Sequence, residues 1–277
     1  MLDLCRPAAE LLQLQQTLME QCFPASTVLL PSGAQVAVRQ CGQRSGKPSI
    51  VLLHGISSGA ASWLHPALLL AEHHHVLAWD APGYGESTPL SDTSPSAQAD
   101  AERLNELLQV QGITSCVLVG HSLGARRGAA YAAGAGRHCV QRLLLISPAG
   151  GYGAADAADK RERVGDERRG ALRTLGVDGI AERIPARLLS DSASAADRAW
   201  VQWNASRLHA KGYLQAVELL CNSDLGACRP LDMPVAVYCG DADVVTPPAQ
   251  CAAWAATLGA PFSLIPGAGH ASPVQQP

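Results

Sequence analysis

Three residues that could together activate a hydroxyl group lie far apart in the chain: Ser122, Asp243 and His270. A serine hydroxyl is a weak nucleophile at neutral pH. It needs a base within hydrogen-bond reach, and the base needs an acid that orients it and stabilises its charged form. Ser122 stands in Gly120-His121-Ser122-Leu123-Gly124, after the apolar run Cys116–Val119 and before small, helix-compatible residues from Ala125 to Ala135. Strand, tight turn and helix is the setting in which Gly-x-Ser-x-Gly forms a nucleophile elbow. The turn lifts the serine Oγ off the top of the sheet, and the two glycines let strand and helix approach closely. The N-terminus of the helix then turns free N–H groups toward any negative charge that forms there.

His270 sits in Gly267-Ala268-Gly269-His270, after the last apolar run, and can serve as the base. Asp243 sits in Gly240-Asp241-Ala242-Asp243 and can orient it, with Asp241 as the turn-forming neighbour. Taken singly, Asp243 could be a turn residue and His270 a structural one. Jointly, the order Ser…Asp…His, each just past a strand end, fits one mechanism. A tetrahedral intermediate also needs two N–H donors. Leu123 supplies one and Ile56, after His54-Gly55, the other. Gly55, Ser57 and His121 adjoin these positions and are expected to contact substrate.

The elements that must hold these groups follow from periodicity. Residues 3–20 read as a helix with Leu4, Leu11, Leu12 and Leu18 near one face, stopped by Pro24. Thr27–Leu30 and Ala34–Arg39 read as a hairpin around Pro31-Ser32-Gly33. Ser49–Leu53 has the length and apolarity of a strand buried on both faces. A helix from Ser62 to Ala71 and a strand Val76–Trp79 follow. Ser94 with Pro95 reads as the N-cap and first turn of the next helix, which runs to Gly112. Strands then recur at 116–119, 142–146, 234–239 and 262–265, with a helix over 249–258. This alternation predicts an α/β fold with a mostly parallel, doubly wound sheet of about eight strands.

Between Ser147 and Arg229 the alternation stops, and short helices carry the charged clusters Lys160–Arg163 and Glu167–Arg169. Such clusters are usually solvated helix faces, although they could hold an anionic substrate. The insert interrupts the sheet where ligands bind, which suits a lid. The boundaries expected are a helical segment 1–25, a core of 26–149 and 230–277, and a helical cap 150–229.

Composition narrows the function classes. The 277 residues are 47% hydrophobic and 16% charged, with net charge −3. A full core is available, and nothing suggests a nucleic-acid partner. The nine cysteines are scattered and odd in number, with no metal-type spacing. Without a basic leader or a run of about 18 apolar residues, they read as reduced thiols in a cytoplasmic protein that does not enter a membrane. Adjacent side chains of His73-His74-His75 cannot converge on one metal, so these read as a polar loop. No metal, no cofactor and no partner beyond a small-molecule substrate is expected.

The chain resembles the α/β-hydrolase superfamily from about Val28 onward. The resemblance rests on Leu53-His54-Gly55, the Asp80–Ser87 segment, Gly120–Gly124, Gly240–Pro247 and Gly267–His270. It implies that Asp243, in Gly-x-x-Asp-x-x-x-Pro, is the acid of a Ser122–His270–Asp243 triad, and that the insert is a helical cap shaping the pocket. It further implies a serine hydrolase of a small carboxylic ester, thioester or lactone, of carboxylesterase or enol-lactonase type. Superfamily members usually continue with a helix after the His loop, whereas seven residues follow His270 here. Carbon–carbon hydrolases of aromatic ring-cleavage products tend to carry Trp and Asn where this chain has Ala271 and His121, respectively. That subgroup is the alternative, along with a non-catalytic ligand-binding protein on the same fold.

Overall fold

The computed structural model describes residues 7–277, and the expected Leu4 contact lies outside them. The first helix, α1 (Ala8–Cys22), buries Gln15 and Met19, while Leu11, Leu12 and Leu18 are only half-buried beside them. The buried stripe is therefore centred between the leucines rather than on them. Beyond it, β1 (Ala25–Leu29) and β2 (Gln35–Cys41) form the expected antiparallel hairpin.

The sheet is completed by β3 (Ser49–Leu53), β4 (Val76–Trp79), β5 (Cys116–His121), β6 (Val140–Ile146), β7 (Val235–Gly240) and β8 (Phe262–Ile265). Its order is β1-β2-β4-β3-β5-β6-β7-β8. Every pair from β4 to β8 is parallel. All residues of β3 and β4 are buried, as continuous apolar runs covered by helices on both faces require. The covering helices are α2 (Leu64–Ala71), α3 (Ala97–Val110), α4 (Leu123–Ala133) and α8 (Pro248–Leu258).

One helix start differs from expectation. α3 begins at Ala97, and its N-cap is Ser96, whose Oγ accepts from Ala99 N at 3.2 Å. Ser94 instead gives its N–H to Asp92 Oδ1 at 2.9 Å. Asp92 therefore closes a local turn, and the cap falls to the next available serine. The three histidines also part company. His75 lies beside Ser49 Oγ and Gln40 Oε1, His74 faces the Pro48 carbonyl, and His73 is exposed.

The insert between β6 and β7 holds α5 (Ala158–Leu188), α6 (Ala195–Ser206) and α7 (Ala210–Asn222). α5 breaks at Gly176, where φ is 66° and ψ is −174°. A residue with a Cβ is strained there, so glycine sets the bend. The insert touches the core closely. A Cβ on Gly83 would come within 2.5 Å of Gly212 Cα in α7. β8 and the His270 loop are followed by one turn, α9 (Ser272–Gln275). No helix among the described residues is long and apolar enough to cross a membrane.

α4 is anchored to α3 by a buried ion pair, Arg127 Nε to Asp100 Oδ2 at 2.5 Å, with both side chains 3% exposed. Removing one partner strands a buried charge, which costs about 3–5 kcal/mol, whereas removing both costs far less. Arg127→Met should therefore lower the urea midpoint much more than Arg127→Met combined with Asp100→Leu. Additive losses in that double-mutant cycle would show that the pair is not coupled.

Candidate active site

Ser122 occupies the turn between β5 and α4 with φ 53° and ψ −117°. This conformation is rare outside glycine and costs of order 1–3 kcal/mol. The flanking glycines explain how it is held. A Cβ on Gly120 would lie 2.5 Å from Ala125 Cα, and one on Gly124 would strike the Leu53 carbonyl of β3. Ser122 N donates to Ile146 O at 2.9 Å, and Ser122 O accepts from Ala149 N at 3.1 Å. The serine is thus fixed from β6 and from the segment that follows it.

Asp243 and His270 are brought together across β7 and β8. His270 Nδ1 lies 2.8 Å from Asp243 Oδ2, and both side chains are almost fully buried. The carboxylate accepts two further backbone N–H groups at Oδ1, from Val245 at 2.8 Å and Thr246 at 3.0 Å. Thr246 Oγ1 adds a contact at 3.0 Å to Oδ2. Burial alone would raise the Asp243 carboxyl. His270 and these donors outweigh it and hold the carboxyl well below the usual carboxylate range. An ionised carboxylate only accepts, so it keeps the imidazole proton on Nδ1 and leaves Nε2 as the basic nitrogen. Ser122 and His270 line one small cavity together with Gly55, Ile56, Ser57 and His121. Among the described residues, Ser122 Oγ and His270 Nε2 each make no hydrogen bond, so both remain available to a ligand.

Asp241 takes the other role expected of the pair. Its Oδ1 accepts from Gly267 N at 2.9 Å, tying two turns together at the surface. Nothing connects it to His270.

The segment before Ile56 is pinned from below. His54, fully buried, has Nδ1 against Gly55 O at 2.8 Å and accepts Ala81 N at Nε2, 3.0 Å away. Tyr84 OH donates to Ile56 O at 2.7 Å. The Asp80–Ser87 segment is held in turn by Ala60 N on Asp80 Oδ1 at 2.7 Å and Ser87 Oγ on Asp80 O at 2.6 Å. With these carbonyls engaged, the Ile56 N–H has no backbone acceptor among the described residues. Leu123 is the first residue of α4, so its N–H also lacks an intrahelical acceptor.

His121 lines the cavity, and its Nε2 donates to the His270 carbonyl at 2.7 Å. Burial, and then the neighbouring His270, push its pKa down to about 3. His54 is likewise lowered to about 3, chiefly by burial.

Several contributors carried no motif. Thr246 lies 3.2 Å from His270 Nδ1 as well as on Asp243. Arg168, Arg183 and Arg187 line a cavity of about 300 Å³ with Ser122, Ile56 and Leu123. Arg168 fell in the charge cluster read as solvated, and Arg183 and Arg187 carried no signal. The sequence could not reveal that the bend at Gly176 folds both arms of α5 around one cavity. Residues 168 and 187 of a straight helix would be about 28 Å apart.

The two buried histidines generate a pH dependence. Both are neutral in the folded state down to about pH 3, while unfolded histidine titrates near 6.5. Below about 6.5 the unfolded state binds more protons, so stability falls with pH, by about 1.4 kcal/mol per pH unit for each histidine. Urea melts from pH 7.5 to 4.5 should show this decline, and His54→Asn or His121→Gln should flatten it. An unchanged slope in both variants would contradict the assignment.

Comparison with known proteins adds the context of this site. The model of the alpha/beta hydrolase family matches residues 50–277. A thermophilic esterase from Thermogutta terrifontis is 25% identical, with TM-score 0.76 over 91% of this chain and 93% of that one. The enol-lactonase of Burkholderia xenovorans LB400 has the same fold at 22% identity, TM-score 0.75, over 89% and 93%. A 2-hydroxy-6-oxononadienedioate/2-hydroxy-6-oxononatrienedioate hydrolase of Pseudomonas putida is 34% identical over 40% of this chain. Lipase 1 of Psychrobacter immobilis is 32% identical over 46%. These matches span only 39% and 40% of the two relatives' own lengths. With the family match reaching from β3 to the last residue, the chain belongs to the alpha/beta hydrolase family.

Proposed function

We propose that this chain is a serine hydrolase cleaving a small carboxylic ester, thioester or lactone, and that its substrate carries a negative charge. The observation that carries the first half is the buried Asp243–His270 pair facing the cavity that the strained Ser122 also lines. In this reading His270 Nε2 takes the Ser122 proton as Oγ attacks the carbonyl. The oxyanion is held by the N–H groups of Ile56 and Leu123. Collapse expels the alcohol, thiol or ring oxygen, protonated by His270. Water activated by His270 then releases the acid from Ser122. The residues and water balance every proton, so no cofactor enters.

The second half rests on the cavity wall. Arg168, Arg183 and Arg187 have no carboxylate partner among the described residues, and Glu167 is the one acid lining the same cavity. Guanidinium groups favour carboxylate or phosphate at a cavity mouth. Helices 158–222 act as the lid in this reading, and Gly55, Ser57 and His121 shape the pocket floor. A cytoplasmic setting is supported by the eight cysteines among the described residues, all of them unpaired.

Kinetics test the chemistry. Ser122→Ala should lower kcat by about 10⁴ with the fold retained, and a sulfonyl fluoride should label Ser122. Asp243→Asn should be similarly impaired, and Asp241→Asn should lose about 1 kcal/mol of stability while keeping turnover. Label on Ser57 or Ser147, or the reverse aspartate pattern, would overturn the assignment.

Substrate choice tests the charge. p-Nitrophenyl hemisuccinate should be preferred over p-nitrophenyl butyrate. Replacing the three arginines with alanine should raise KM about tenfold for the hemisuccinate alone, as three partly exposed ion pairs allow. Equal effects on both esters would refute the charged-substrate reading. A ring-fission diketone belongs in the same screen because of the Pseudomonas putida relative. Its turnover in place of esters would move the reading to carbon–carbon cleavage, and no turnover of any substrate to a binding protein.

A further inference from the structure

A second cleft, about 530 Å³, opens on the far side of α4 and shares no lining residue with the cavity around Ser122. Its walls come from the N-terminus of α3, the outer face of α4, and the end of α7 with the turn at residues 225–227. Arg126 lines it and is only 5% exposed. The guanidinium makes no ion pair among the described residues, and its buried Nε has no hydrogen-bond partner. Its one contact is Nη1 on the Cys228 sulfur. The next residue, Arg127, shows what a buried guanidinium on this helix ordinarily has, the Asp100 carboxylate at 2.5 Å. A buried charge without a counter-charge is strongly unfavourable.

The opposite wall faces Arg126 with the start of α3. Ser96, Ala97 and Gln98 line the cleft there. This is the positive end of a 14-residue helix, with backbone N–H groups that lack intrahelical acceptors. Ser96 Oγ accepts from Ala99 N and keeps its own proton free to donate. The acid in the cleft, Asp224, is turned into a local cap, accepting Gly226 N at 2.9 Å, and forms no ion pair with Arg126. The remaining walls carry small apolar residues, including Ala130, Ala133 and Ala227, beside the uncharged polar Asn222 and Ser223. A buried, unpaired guanidinium and a helix N-terminus thus converge on one volume, and each favours negative charge independently.

We infer that this cleft is a binding site for a small oxyanion, the carboxylate or phosphate group of a small molecule, held between Arg126 and the N-terminus of α3. The guanidinium supplies positive charge and its remaining N–H donors, and Ser96 with the helix N–H groups supplies the facing side. The alanines leave room for only a short apolar appendage. The site is separate from the arginines of the lid.

Thermal melts with inorganic phosphate and with propionate, against sodium chloride at equal ionic strength, test this. The protein carrying the three lid-arginine substitutions serves as background, so that binding near Ser122 does not contribute. At ten times the dissociation constant, a bound anion should raise Tm by about 2 °C. A response to phosphate alone identifies a phosphate group as the ligand, and a response to propionate alone a carboxylate. Arg126→Gln should abolish the response. Should Arg126→Gln not fold, as judged by circular dichroism, Ala227→Glu decides. Ala227 is exposed on the cleft wall, and a carboxylate there should repel the anion without disturbing the core. The inference fails if neither anion raises Tm above the chloride control, or if the rise survives in folded Arg126→Gln or in Ala227→Glu.

Discussion

The backbone of Ser122 is the constraint around which the molecule is arranged. A non-glycine residue at φ 53° and ψ −117° relaxes unless its surroundings fix it. Here β6 holds its amide, Ala149 holds its carbonyl, and Gly120 and Gly124 bring α4 against β5 and β3 with no room to slide. The strain keeps Oγ clear of the helix and in the cavity. The same turn starts α4, so the placement of Ser122 Oγ and the free N–H of Leu123 are one structural fact seen from two sides.

The second dependency runs from the sheet edge to the insert. His270 follows β8, a short strand at the end of the sheet, and a loop there would be mobile without support. It is braced by Asp243 at its ring and His121 at its carbonyl. The single turn α9 adds Gln275, whose Oε1 accepts both Gly269 N at 3.0 Å and Ser190 N at 3.2 Å. Ala271 N donates to Leu188 O at 2.8 Å. The end of α5 and the His270 loop are therefore one unit.

Electrostatically the site uses burial in two opposite ways. Asp243 stays charged because four donors face it, two of them backbone amides that cannot swing away. His54 and His121 stay neutral because burial outweighs the backbone carbonyl that each ring faces, and as neutral rings they hydrogen-bond to neighbouring loops. Of these three buried groups Asp243 alone is held charged, against His270, while His54 and His121 brace the neighbouring loops.

Much of this was legible in the chain. The apolar runs at 49–53 and 116–119 are too continuous for a half-exposed strand, so a parallel sheet with two covered faces follows from them. Gly120 and Gly124 flank a serine at the spacing of a tight strand-to-helix turn, whereas the preference for Asp243 over Asp241 came from the resemblance to the family's Gly-x-x-Asp-x-x-x-Pro pattern. The runs and the glycine spacing are local features, set by Cβ sterics and periodicity, and sequence carries them directly. The start of α3 was misplaced by two residues because Asp92, Ser94 and Ser96 can all cap a turn, and packing chose among them. The roles of Thr246, Arg168, Arg183, Arg187 and Arg126 could not be read at all. Whether an arginine faces solvent, a cavity or a buried pocket depends on the bend at Gly176 and on which helices pack beside it. That is decided by contacts between residues tens of positions apart, which only the tertiary structure brings together.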